Sequence, residues 1–150
     1  MYPYFIYCVL IWGNTFSTYL DSLVKLQKRA IRTICGENKL AHTEPLFKKM
    51  NLFNFSELCI YSIGIFMFKF HSSLLPSIFS NFFTYNRNVH GHFTRQCDLL
   101  HVPKSSSQLR AKGVSISNNL EKYIKRDCTL WTYKMRLKCF IKANGIGSLL

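Results

Sequence analysis

The residues whose types best suit chemistry lie between His90 and His101, where His90, His92, Cys97 and His101 are donors a zinc ion accepts. Their spacing corresponds to no closed four-ligand site, and a loop would hold an ion weakly. Surface histidines titrating beside Arg87 and Arg95 are the simpler reading. A cysteine nucleophile paired with one of these histidines has less support still. Two-metal phosphoryl transfer needs carboxylates held close together. Only seven Asp and Glu occur, and no two stand at D-x-D spacing. A general acid/base pair is equally hard to assemble. No G-x-G-x-x-G, no phosphate-binding G-x-x-x-x-G-K-[ST] and no H-E-x-x-H is present. The sequence thus predicts no catalytic residue, no metal site and no cofactor.

What remains is cationic chemistry. Twenty Lys and Arg against seven acids leave a formal net charge of +13, which phosphate or an acidic membrane surface would relieve. The sharpest expression of it is LDSLVKLQKRAIRTI, Leu20 to Ile34. On a helical wheel Leu20, Leu23, Val24, Ala30, Ile31 and Ile34 fall within an arc of about 120°. Lys25, Lys28, Arg29 and Arg32 fall opposite, within about 100°. The pattern predicts one helix with a core face and a cationic face, capped by Asp21 or Ser22 and ended by Gly36. Gln27 falls inside the apolar stripe and needs a buried partner or a place at the core edge. A second basic run, W-T-Y-K-M-R-L-K-C-F-I-K, interleaves Lys134, Arg136 and Lys138 with rings that could meet base faces. Tyr133, Leu137 and Phe140 there have core spacing and are expected inside. From Lys104 to Lys142, ten Lys and Arg against Glu121 and Asp127 leave +8.

The elements that must position these groups are helical. Pro3 suits a first turn, and Tyr4 to Trp12 predicts an all-apolar buried helix stopped by Gly13. Residues 1–20 carry no charge, but the strictly apolar part is too short to cross about 30 Å of hydrocarbon. After the basic helix, T-E-P-L-F-K-K-M predicts a short helix over Glu44 to Met50 with its lysines at the favourable end. Phe55 to Phe70 is the central core helix, with Ser56 as a cap and Gly64 where another helix approaches closely. Ser77 to Phe83 reads as one short amphipathic turn. Apolar periodicity is lost from Thr84 to Gly113, which reads as an irregular basic segment over the surface. Asn119 to Arg126 and Thr129 to Ala143 are the last two helices, the second presenting Leu130, Tyr133, Leu137, Phe140 and Ile141 on one face. The six cysteines show no C-x-x-C pair and read as reduced core thiols of an intracellular protein. Thirteen Phe and eight Tyr exceed the needs of a small core, so some are expected to face a further domain.

Several motifs occur in a fixed order: W-G-N-T at Trp12, L-x-x-L-x-x-L-Q-K-R-A-I-R at Leu20, A-H-T-E-P-L-F-K-K at Ala41, and F-M-F-K-F-H at Phe66. L-L-P-x-I-F-S-N-F-F at Leu74, H-x-x-x-T-R at His90, K-G-V-S-I at Lys112 and Y-K-M-R-L-K at Tyr133 follow. Together they resemble the C-terminal region of LINE-type, non-LTR (jockey-like) retrotransposon reverse transcriptases, from the thumb onward, over nearly the whole chain. The resemblance implies a parent RNA-directed DNA polymerase whose palm domain is a partner of this region. It also implies a thumb-like role for the Lys25, Lys28, Arg29 and Arg32 helix along a template–primer duplex. The polymerase motif Y-x-D-D and its partner aspartate are not in the chain. Where the family has W-N-x-L-P, the chain reads Ser117-Asn118-Asn119-Leu120-Glu121, without the Trp or the Pro. This fits a decaying copy, a 3′-terminal piece of a reading frame opened at an internal Met.

The expectation is therefore an all-α bundle of about five to seven helices with a long irregular basic loop. Its parts are a thumb-like domain over 1–83, a basic linker over 84–113 and a basic helical segment over 114–150. The expected partners are an RNA–DNA or RNA duplex backbone, held by Lys25, Lys28, Arg29, Arg32, Lys134, Arg136 and Lys138, and the parent's palm domain. An inert helical remnant and a basic module for membrane surfaces or protein interaction are the rival readings.

Overall fold

Helix-forming runs separated by Gly, Pro and Asn dictate an α-helical chain, and the computed structural model has that architecture. It describes residues 6, 8–89, 95–102, 104, 108–120, 124, 128–145 and 147. Among these, seven α-helices and one 3-10 turn form, and no strand. The helices are α1 (Val9–Trp12), α2 (Ser17–Cys35), α3 (Glu44–Lys49), α4 (Phe55–His71), α5 (Asn86–Val89), α6 (Gln108–Leu120) and α7 (Leu130–Asn144), with the 3-10 turn at Ser77–Phe79. The chain gathers into two compact units, Met1–Cys59 and Ile60–Leu150. The boundary falls within α4, and the sequence-based boundaries at 83 and 113 both fall inside the second unit.

In the first unit the expected helix over Tyr4 to Trp12 does not run unbroken: Cys8 takes a left-handed φ of 51° and helix resumes at Val9. Of the expected helix, residues 4, 5 and 7 lie outside the described residues. Nor is this segment buried all round, since Val9 is buried while Ile11 is exposed. Gly13 does end it, its N–H donating to the Val9 carbonyl at 2.8 Å. The Gly13 carbonyl accepts from the buried Cys59 thiol at 3.6 Å, and Trp12 stacks on Phe55 with ring centroids 5.6 Å apart.

Helix α2 begins at Ser17, a turn earlier than expected, so Asp21 and Ser22 are interior residues rather than caps. Gly36 closes it at φ 67°, a left-handed conformation that glycine adopts without penalty. The Gly36 N–H reaches the Thr33 carbonyl at 3.3 Å and the Glu37 N–H reaches Arg32 at 2.9 Å, the paired bonds of a Schellman ending. Ile31 packs with Leu46 and Phe47 of α3, joined by Cys35 and Leu52. Ile34 does not join the core face, being exposed instead. Gln27 is buried, and its side-chain amide donates to the Phe53 carbonyl at 3.1 Å.

Helix α4 is capped by Asn54, not Ser56. The Asn54 side-chain oxygen accepts the Glu57 N–H at 2.8 Å, and the Glu57 carboxylate accepts the Asn54 N–H at 2.9 Å, a reciprocal capping box. Its C-terminal part belongs to the second unit, where Ile63 and Met67 join Leu100, Val114, Ile116, Leu137 and Ile141 in the core. A Cβ on Gly64 would meet Leu137 Cδ2 at 2.7 Å, so the close approach expected there is made by α7. Many of the surplus rings pair with one another here. Phe66 meets Phe79 and Phe83 edge-on, Phe70 meets Phe83, and Phe82 meets both Phe79 and Phe83.

The segment expected to be irregular over 84–113 holds more order than its composition suggests. Helix α6 starts at Gln108 inside it, and α5 adds one helical turn. Tyr85 and Leu100 form an isolated antiparallel bridge, with His101 N–H donating to the Thr84 carbonyl at 2.8 Å. The Asn118 side chain of α6 brackets buried Leu100, accepting its N–H at 3.1 Å and donating to its carbonyl at 3.0 Å. A polar side chain thus satisfies backbone groups that no strand partner reaches. Of the expected helix over Asn119 to Arg126, Asn119 and Leu120 form the end of α6, and residues 121–123 and 125–126 lie outside the described residues. Thr129 caps α7, its hydroxyl accepting the Thr132 N–H at 3.3 Å.

Candidate nucleic-acid interface

Of the expected core face of α2, Ile31 is buried and Leu20, Leu23, Val24 and Ala30 are half-buried, while Lys25, Lys28 and Arg29 opposite are exposed. None of the three makes an ion pair among the described residues, where the one salt bridge is Arg87 to Asp98 at 3.5 Å. Arg32 differs. It is half-buried, and its Nε donates to the Ala41 carbonyl at 2.8 Å, tying the loop before α3 back to α2. Three cations of the expected four therefore present free donors at one face, and the fourth is a structural strut.

On α7, Tyr133, Leu137 and Ile141 are buried, while Leu130 and Phe140 are half-buried. Tyr133 stacks on Phe68 at 4.3 Å, so its ring is a core ring and not a platform for bases. Lys134 and Lys138 are half-buried and Arg136 is exposed. Half-burial of a lysine suits a stem lying along apolar surface with the ammonium in water. The two basic groups lie in different units, Lys25, Lys28 and Arg29 in the first and Lys134, Arg136 and Lys138 in the second.

His90 and His92 lie outside the described residues, and among those described no three His, Cys, Asp or Glu gather as ligands do. None of the six cysteines is in a disulfide, but only Cys59 is buried; Cys8 and Cys139 are exposed, and Cys35, Cys97 and Cys128 are half-buried. The expectation of core thiols fails because most cysteines fall at helix ends and edges. No helix is long and apolar enough to cross a membrane, among the described residues.

Three features escaped the sequence reading. His71 Nδ1 lies 3.1 Å from the Tyr85 hydroxyl and its Nε2 lies 2.9 Å from the Ser117 hydroxyl. Ser117 is buried, so the Ser–His pair fastens α4 to α6 and offers no nucleophile to a substrate. Ser117, which stands where the W-N-x-L-P pattern has Trp, and Asn118, which keeps the pattern's Asn, are thus both engaged in holding the second unit together. The Arg110 guanidinium lies over the Phe82 ring at 5.1 Å, a cation–π contact between residues 28 apart that no local pattern signals. Trp131 is 72% exposed. Its position on α7 was legible from the heptad-like spacing of Leu130, Tyr133 and Leu137, which excludes it from the core face.

No protein-family model matches the chain, and neither a curated protein nor a solved structure is significantly similar to it.

Proposed function

We propose that this chain is the C-terminal, post-palm region of a LINE-type retrotransposon RNA-directed DNA polymerase and grips the template–primer backbone electrostatically. The observation that carries the reading is the row of Lys25, Lys28 and Arg29 on a 19-residue helix, exposed and without ion pairs among the described residues. Cations held on a rigid helix contact phosphates whatever the base sequence, so the grip would be strong at low salt and unselective. The ordered motifs from Trp12 to Lys138 support the parentage. Phe16, Tyr19 and Leu40 of the first unit are exposed, as apolar residues covered by the parent's palm domain would be in this region alone. With no paired carboxylates to hold metal ions, the chain alone would not polymerise.

Fluorescence anisotropy with a labelled RNA–DNA hybrid, run at several salt concentrations, tests the proposal. The variant K25A/K28A/R29A should lower the log–log salt slope by roughly 2.7, three contacts at about 0.9 each. Arg32 is left in place because its removal would disturb the loop it holds. An unchanged slope would refute the α2 grip, and a folded, soluble chain that binds no hybrid would leave the inert remnant as the answer.

A further inference from the structure

A tryptophan that exposes nearly three-quarters of its surface is unusual, because the indole is among the most apolar bodies a chain can bury. Trp131 does so at 72%, in the first turn of α7 and with no ring contact among the described residues. Its neighbours on the helix surface are specific. At about 100° per residue, Lys138 lies about 20° from Trp131 around the axis, Met135 about 40° and Lys134 about 60°. Arg136, which is exposed, lies about 140° away and does not share this surface, whereas Lys134 and Lys138 are half-buried, Lys134 only about 20° from buried Ile141. Met135 is itself exposed. This side of α7 therefore carries an exposed indole, an exposed thioether beside it, and two half-buried lysines whose stems lie along the helix toward the C-terminus, as a lysine with its ammonium in water does.

We propose that this face binds single-stranded nucleic acid, with an unpaired base stacked on the Trp131 indole and successive phosphates met by Lys134 and Lys138. The two lysines are one i to i+4 step apart, a rise of about 6 Å, of the order of the separation between neighbouring phosphates on an extended strand. A base can lie on an exposed indole only if it is unstacked, so the chemistry selects a single strand over a duplex. The basic balance favours a polyanion as occupant: from Lys104 to Lys142 the chain carries ten Lys and Arg against two acids. The proposal is independent of the retrotransposon parentage and uses none of the α2 cations, so either can fail without the other.

The chain has two tryptophans, Trp12 and Trp131. In a Trp12→Phe background, which keeps a ring against Phe55, the emission reports Trp131 alone. Titration with a short unstructured RNA should quench that emission, and a blunt RNA duplex of equal charge should not. Labelled-RNA anisotropy on the otherwise unsubstituted chain supplies a readout that does not depend on the Trp12 substitution. There, Trp131→Ala should weaken single-strand binding on the order of tenfold. Trp131→Phe should recover most of the loss, and K134A/K138A should reduce the single-strand salt slope by roughly 1.4, two contacts at about 0.7 each. Because Trp131 is exposed and none of the three residues is fully buried, circular dichroism should show the helices unchanged. Equal affinity in Trp131→Ala, equal quenching by duplex, or a response only to anionic phospholipid vesicles would each overturn the proposal.

Discussion

At the residue scale the decisive positions are polar groups inside an apolar setting. Gln27 sits in the hydrophobic stripe of α2 because its amide N–H reaches the Phe53 carbonyl at 3.1 Å. Only a donor fits that carbonyl. Gln27→Ala should therefore lower stability by about 1 kcal/mol in urea unfolding, the net worth of one buried hydrogen bond. Gln27→Glu should cost more at neutral pH, where a carboxylate would face a carbonyl oxygen. Its deficit should shrink as pH falls through the carboxyl range near about 4, since the protonated acid can donate again. An equal loss in the two variants at every pH would show that the donor is irrelevant. Arg32 makes the same point on the other face of α2. Its charge belongs to the cationic row by spacing, but its hydrogen bond to Ala41 gives it to the fold.

At the scale of elements, α4 and α7 are fitted to one another at Gly64. An alanine there would gain about 1 kcal/mol of helix propensity. Its Cβ would also stand 2.7 Å from Leu137 Cδ2, and Leu137 is fully buried with nowhere to move. Overpacking of this kind costs about 1–3 kcal/mol, so Gly64→Ala should destabilise the protein in spite of its better helix propensity. Leu137→Ala alone should cost about 2–5 kcal/mol by leaving a cavity. The double variant should be more stable than the two losses added together, by about 1 kcal/mol or more, because the new methyl enters the space that the leucine leaves. Strict additivity in thermal or chemical unfolding would mean that the two helices do not meet as described.

For the whole molecule, the charge of +13 dominates its behaviour in solution. Self-repulsion destabilises the compact state, and a polyanion that neutralises it should stabilise the fold. RNA at a hundredfold excess over its Kd should raise Tm by about 5 °C or more at low salt, and the rise should vanish at high salt. A Tm indifferent to RNA at low salt would remove the electrostatic reading of both basic helices. The exposed Ile11, Phe16, Tyr19 and Leu40 act at this scale also, since uncovered apolar surface invites association.

Local chemistry determined a good deal by itself. The period of apolar residues defined α2, α3, α4 and α7 to within a few residues, Gly36 ended α2, and the Gly64 approach was legible because glycine inside an apolar helix needs a packing reason. Composition determined the basic character, and motif order suggested the parentage. Tertiary structure decided the rest, because each remaining point depends on residues far apart in the chain. The wheel alone cannot say that Ile34 has no partner or that Arg32 has one, nor can a polar, aperiodic stretch announce that Asn118 will bracket Leu100. Trp131 illustrates both halves: its spacing put it off the core face of α7, but only the packed structure leaves its indole uncovered above two lysines.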